Sequence, residues 1–101
     1  MNQLQFHPLS RLDVSEAIDW YQARSLRAAE QFALEVERVI ERIAENPEQF
    51  AAFDGEIRRA LLPRFPYSVL FVKQQESVFI LTFAHAKAKT RLLESAEPLA
   101  G

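Results

Sequence analysis

The sequence predicts an α+β fold: a short N-terminal strand, two antiparallel helices, and then an antiparallel meander of three strands, in the order β-α-α-β-β-β. Three observations predict it. Apolar residues recur at helical spacing between Val14 and Ile43. Three runs rich in β-branched and aromatic residues then crowd into positions 56–85. The breaks between elements, at Asn46-Pro47, Asp54-Gly55 and Gln74-Gln75-Glu76, leave the strands joined by links too short for crossover helices.

Leu4 to His7 alternates and opens the sheet; Pro8 then suits a first helical position, where a missing N–H costs nothing. Ser10 and Asp13 resemble a capping box with Asp in the Glu place. Val14, Ala17, Ile18 and Tyr21 share one helical face, with Asp13, Glu16 and Asp19 expected on the other, and the helix is expected to end near Arg24. Ser25 is positioned to cap a second helix, whose stripe runs through Ala29, Phe32, Val36, Val39, Ile40 and Ile43. Its polar face is read as Glu35, Arg38, Glu41, Arg42 and Glu45, with Arg38–Glu41 and Arg42–Glu45 as i,i+3 pairs. Asn46-Pro47 stops it, because proline disfavours helical dihedrals in the residue before it. Strands are expected at 56–62, 67–73 and 77–85, the last apolar on both faces and therefore central. Beyond it, 91–96 suits one further helical turn and 98–101 a frayed end.

The chain's 101 residues suit one domain spanning 1–101, and 49% apolar content supplies a single core. Two glycines and no low-complexity run argue against disorder. With no cysteine there is neither a disulfide framework nor a thiolate metal site; two distant histidines without clustered carboxylates make a poor metal site as well, so no metal or cofactor is expected. No apolar run approaches membrane-spanning length and no export signal is visible, which points to the cytoplasm. A net charge of −2 and a pI near 5.7 disfavour generic phosphate-backbone binding, and no direct sequence-specific DNA binding is expected.

The residues open to a functional role cluster in the second half. Arg58 and Arg59 are strand neighbours, so one faces with Ala60 and Leu62 and the other with Ile57 and Leu61. Each is either a solvated or snorkelling side chain or part of a basic patch with Arg64. Arg64-Phe65-Pro66-Tyr67 is either turn chemistry stiffened by Pro63 and Pro66 or an exposed cation for an anionic partner. His85 ends the central strand before Lys87, Lys89 and Arg91; it is either a hydrogen-bonded structural residue or a general base. His7, at a strand–helix junction, reads as structural. Trp20 and Tyr21 cannot face the same way on a helix, so Tyr21 joins the core stripe and Trp20 is left as a partner contact. No Gly-rich phosphate loop, GxSxG elbow or HExxH motif is present.

The collinear order of Phe6-His7-Pro8, Ala17-Ile18-Asp19-Trp20-Tyr21, Asn46-Pro47, Arg58-Arg59, Arg64-Phe65-Pro66-Tyr67 and Ala84-His85 resembles the RelE/ParE superfamily of toxins from type II toxin–antitoxin pairs. That resemblance implies a small twisted antiparallel sheet with the helical hairpin packed on one face, and a cognate antitoxin partner. RelE-like members are ribosome-dependent mRNA endonucleases. On that reading Arg59, Tyr67, His85 and Lys87 form the catalytic set, but Ser68 and Leu61 stand where basic residues are usual, and Leu93 where a tyrosine is. The Arg-Phe-Pro-Tyr run and the terminal Ala-His are closer to ParE-like members, which imply inhibition of DNA gyrase without catalysis. On that reading Trp20, Arg58, Arg59, Arg64, Tyr67, His85 and Lys87 are candidates for target or antitoxin contacts, with the antitoxin covering part of the hairpin and a sheet edge. A third reading is a non-toxic relic that still binds an antitoxin.

Overall fold

A computed structural model of the chain describes residues 1–86. Strand β1 (Gln3–Phe6) leads into helices α1 (Pro8–Gln22) and α2 (Leu26–Glu45). A single 3-10 turn, Pro47–Gln49, precedes β2 (Ala52–Asp54), β3 (Ile57–Leu61), β4 (Tyr67–Gln74) and β5 (Ser77–His85). The expected turn over 91–96, the frayed end at 98–101 and Lys87 lie outside the described residues.

The helix ends are fixed by local chemistry. His7, not Ser10, is the N-cap of α1: its Nδ1 accepts the Leu9 N–H at 3.1 Å, and the Ser10 hydroxyl donates to the His7 carbonyl at 2.7 Å. The Ser10–Asp13 box does not form, because Pro8 at the first turn and His7 as N-cap start the helix before the place that box needs. Ser25 caps α2 as expected, its Oγ accepting the Ala28 N–H at 3.2 Å. At the other end the Gln49 amide donates to the carbonyls of Arg42 (3.2 Å) and Asn46 (3.0 Å), which also accept the backbone N–H groups of Asn46 and Gln49, so the 3-10 turn is tied to the last turn of α2. Residues 23–25 are all that join the helices, so they run back to back.

The sheet order is β1-β5-β4-β3-β2. The meander β3-β4-β5 is antiparallel, and β5, at its edge, becomes an interior strand of the sheet because β1 pairs along its other side, in keeping with its doubly apolar pattern. Strand β1 joins β5 in parallel, Leu4 beside Val78, because the hairpin and the meander together form a crossover long enough to return the chain in the same direction. Strand β2, absent from the sequence expectation, is three exposed residues beyond β3. Both helices lie on one face of the sheet. Phe32, Ile43, Val69, Phe71, Val78 and Ile80 form the fully buried core between the layers, with Val14, Ile18, Tyr21 and Ile40 packed around it.

Two carboxylates assigned to the solvent side face inward. Leu70 pairs with Thr82 and Phe71 with Ile80, so Leu81 is an extra residue bulging from β5. Asp13 of α1 meets this bulge: its Oδ2 accepts the Phe83 N–H at 3.2 Å and the Thr82 hydroxyl. Glu35 is 8% exposed and accepts the Arg64 N–H at 3.2 Å. Their charge points to solvent but their spacing points to the core: Asp13 precedes Ala17 by four residues, and Glu35 follows Phe32 by three. The expected helix pairs Arg38–Glu41 and Arg42–Glu45 do not form; Arg42 instead lies 5.2 Å from the centre of the Phe50 ring.

Candidate functional site

The turn between β3 and β4 ties the candidate residues to the core. Phe65 folds back between the prolines to meet the Phe32 ring edge-on at 5.2 Å and the Tyr21 ring at 5.1 Å. Tyr67 donates its N–H to the Phe65 carbonyl at 2.7 Å, and its own carbonyl accepts the Leu62 N–H at 3.0 Å. Its ring therefore projects under the hairpin, 5.2 Å from Phe32, 6.5 Å from Tyr21 and 5.1 Å from His85, its cross-strand partner. Burial raises the Tyr67 pKa, with Tyr21 and then Asp13 adding to the effect; burial alone raises that of Tyr21. Both phenols hold their protons at neutral pH.

The three arginines part company. Arg58 turns toward the helical side of the sheet, half-buried, and donates from Nη1 to the Phe50 carbonyl at 2.7 Å. It ties the chain before β2 to β3, a structural task. Arg59 points to the other face, exposed, its guanidinium 5.3 Å from the centre of the Phe53 ring. Arg64 extends from the turn with a side chain 77% exposed, its Nε 4.0 Å from Glu35. Glu35 is buried but the guanidinium is bathed in solvent, and at that distance the pair contributes little, so the guanidinium is held loosely while its backbone is held firmly.

Trp20 stands on α1 half-exposed, with the Arg24 guanidinium 3.7 Å above its ring and Arg24 Nη1 donating to the Trp20 carbonyl at 3.0 Å. Stacking presets the indole as a broad, flat surface, the kind of anchor that protein interfaces favour. On the same hairpin an apolar cleft of about 420 Å³ opens between the helices, walled by Val14, Ile18, Val36 and Ile40 with Phe6 and Phe83 at its floor.

The described members of the endonuclease set, Arg59, Tyr67 and His85, do not converge. Tyr67 and His85 lie together beneath the hairpin, whereas Arg59 lies on the opposite face of the sheet; Ala60, one residue on, is the neighbour that points into the core. Ser68 is buried and Leu61 exposed, so neither neighbour supplies a cation. Among the described residues no group of three His, Asp or Glu side chains is placed to hold a metal ion, and no helix is long and apolar enough to cross a membrane.

Residues 4–89 match the family model described as the ParE toxin of the type II toxin–antitoxin system parDE. The chain belongs to the ParE toxin family. The match spans most of the chain, from Leu4 in β1 through the hairpin and strands β2 to β5. A ParE-type chain of this kind is the toxin component of a type II pair, and the family implies a cognate antitoxin. The fold agrees with a chain from the structure titled "Chromosomal ParDE TA system from P. aeruginosa", with a TM-score of 0.65 and 20% identity over 86% of this chain and 98% of that one. A search among curated proteins found no match. The fold is the ParE-like one that the sequence predicts, except that the parallel β1–β5 pairing makes the expected antiparallel sheet a mixed one and β2 adds a short fifth strand.

Proposed function

We propose that this ParE-family toxin inhibits DNA gyrase by binding it, without chemistry on a nucleic acid, and that a cognate antitoxin neutralises it by covering the hairpin. The separation of Arg59 from Tyr67 and His85 carries the reading: a cation on one face of a sheet cannot stabilise charge developing beside groups on the other. The two phenols also stay protonated, which leaves that cluster without a tyrosinate base.

Arg59, Arg64 and Trp20 are the exposed contact residues of this reading, and the apolar cleft between α1 and α2 is where the antitoxin docks. Arg58 is structural, and Tyr67 and His85 support the surface from beneath. The test is supercoiling by purified gyrase in the presence of the folded chain. Inhibition with intact mRNA in a parallel translation reaction is the expected result. Unimpaired supercoiling at large molar excess overturns the reading, and transcripts cut within ribosome-bound codons would replace it with the endonuclease.

A further inference from the structure

On the side of α2 away from α1, a second cleft of about 300 Å³ separates the helix from the β3–β4 turn. Arg38 and Arg42 line it from the helix and Arg64 from the turn, with Leu34, Val39 and Pro63 as apolar wall. Arg38 and Arg42 are i, i+4 neighbours, a like-charge placement that disfavours the helix by a few tenths of a kcal/mol. Neither takes part in an ion pair between described residues. Glu35, the carboxylate within the cleft, is engaged with the Arg64 backbone N–H at 3.2 Å and lies 4.0 Å from its Nε. Three cations thus surround one carboxylate, leaving a net positive cleft on a chain whose overall charge is −2.

We propose that this cleft receives acidic side chains of a protein partner, the antitoxin in the toxin–antitoxin reading on which that identity rests. A planar guanidinium fork matches a carboxylate in two parallel hydrogen bonds, and the apolar wall accepts the methylenes of a Glu or Asp side chain. A nucleic-acid backbone fits less well. The cleft is short, it contains Glu35, and the chain carries no basic excess to neutralise a run of phosphates. The site also differs in kind from the apolar cleft between the helices, so the two faces of α2 offer one partner an apolar and a charged anchor.

The experiment titrates the full chain with an acetylated, amidated hexaglutamate peptide and follows the arginine Nε–Hε signals by NMR. Hexaglutamine and a short DNA duplex form the other arms. The signals of Arg38, Arg42 and Arg64 are expected to move saturably with hexaglutamate, to return on adding salt, and to stay still with hexaglutamine. The double variant Arg38→Gln, Arg42→Gln, at exposed helical positions where glutamine is well tolerated, is expected to bind about tenfold more weakly. Still signals at about 10 mM peptide, a level that detects even a millimolar site, overturn the proposal. So does duplex DNA that binds there more tightly than the peptide. None of these readings involves gyrase, so a failed supercoiling assay and a failed titration remain distinct results.

Discussion

Arg58 and Arg59 are adjacent in sequence, yet they belong to two regions built on different terms. The helical side of the sheet, where Arg58 ends, is saturated: Arg58 is hydrogen-bonded to the Phe50 carbonyl, Asp13 serves the β5 bulge, and Tyr21, Phe32, Phe65 and Tyr67 close against one another as rings. The outer face and the turn, where Arg59 and Arg64 end, hold their cations by a ring at 5.3 Å and a carboxylate at 4.0 Å, contacts that any partner can replace at little cost. The difference teaches where to look for stability and where for recognition. Groups on the first side are committed to folding, and groups on the second are free to be re-used.

If that division is right, substitutions on the two sides separate stability from activity. The largest loss falls at Phe32, fully buried among three rings: Phe32→Ala is expected to cost about 3–5 kcal/mol, read as a drop in urea midpoint at constant slope. Asp13→Ala follows at about 2–3 kcal/mol, because it leaves the Phe83 N–H at the bulge unsatisfied. Asp13→Asn keeps an acceptor and is expected to recover part of that loss. Arg58→Ala strands the Phe50 carbonyl and is expected to cost about 1.5 kcal/mol, against no more than about 0.5 kcal/mol for Arg59→Ala. Equal melting temperatures for those two variants would erase the contrast between the faces.

The smallest effect is a pH dependence. The Tyr21 and Tyr67 phenols are raised above the ordinary 10.0, so the folded state keeps protons that the unfolded state releases first. Their contribution is whole below the unfolded value and is lost as pH rises through the folded one. Denaturant midpoints are therefore expected to fall above about pH 10, more shallowly in Tyr67→Phe. A midpoint that climbs in that range contradicts the partial burial of both rings against the core.

Much of this division was legible in the sequence, and the misses share a cause. Strand parity alone sent Arg58 and Arg59 to opposite faces, and the helical stripe put Tyr21 inside and Trp20 outside. Asp13 and Glu35 run against their charge: both sit at core-facing intervals, and backbone N–H groups of the sheet and the turn meet their carboxylates there. The parallel β1–β5 pairing was not legible locally, since β1 carries no mark of which strand it will join. Strand β2 is three exposed residues, too short for any period to register. The convergence of Arg38, Arg42 and Arg64 is invisible for a similar reason: it needs the turn at Pro63 to return to α2, and no spacing within either element records that.

The most direct measurement is a gyrase supercoiling titration with Arg59→Ala and Tyr67→Phe compared side by side at equal folded concentration. Recognition by the outer face predicts that Arg59→Ala weakens inhibition at least about tenfold while Tyr67→Phe inhibits as the parent chain does. The reverse pattern, with inhibition lost on removing the Tyr67 hydroxyl and kept without the exposed guanidinium, would contradict it.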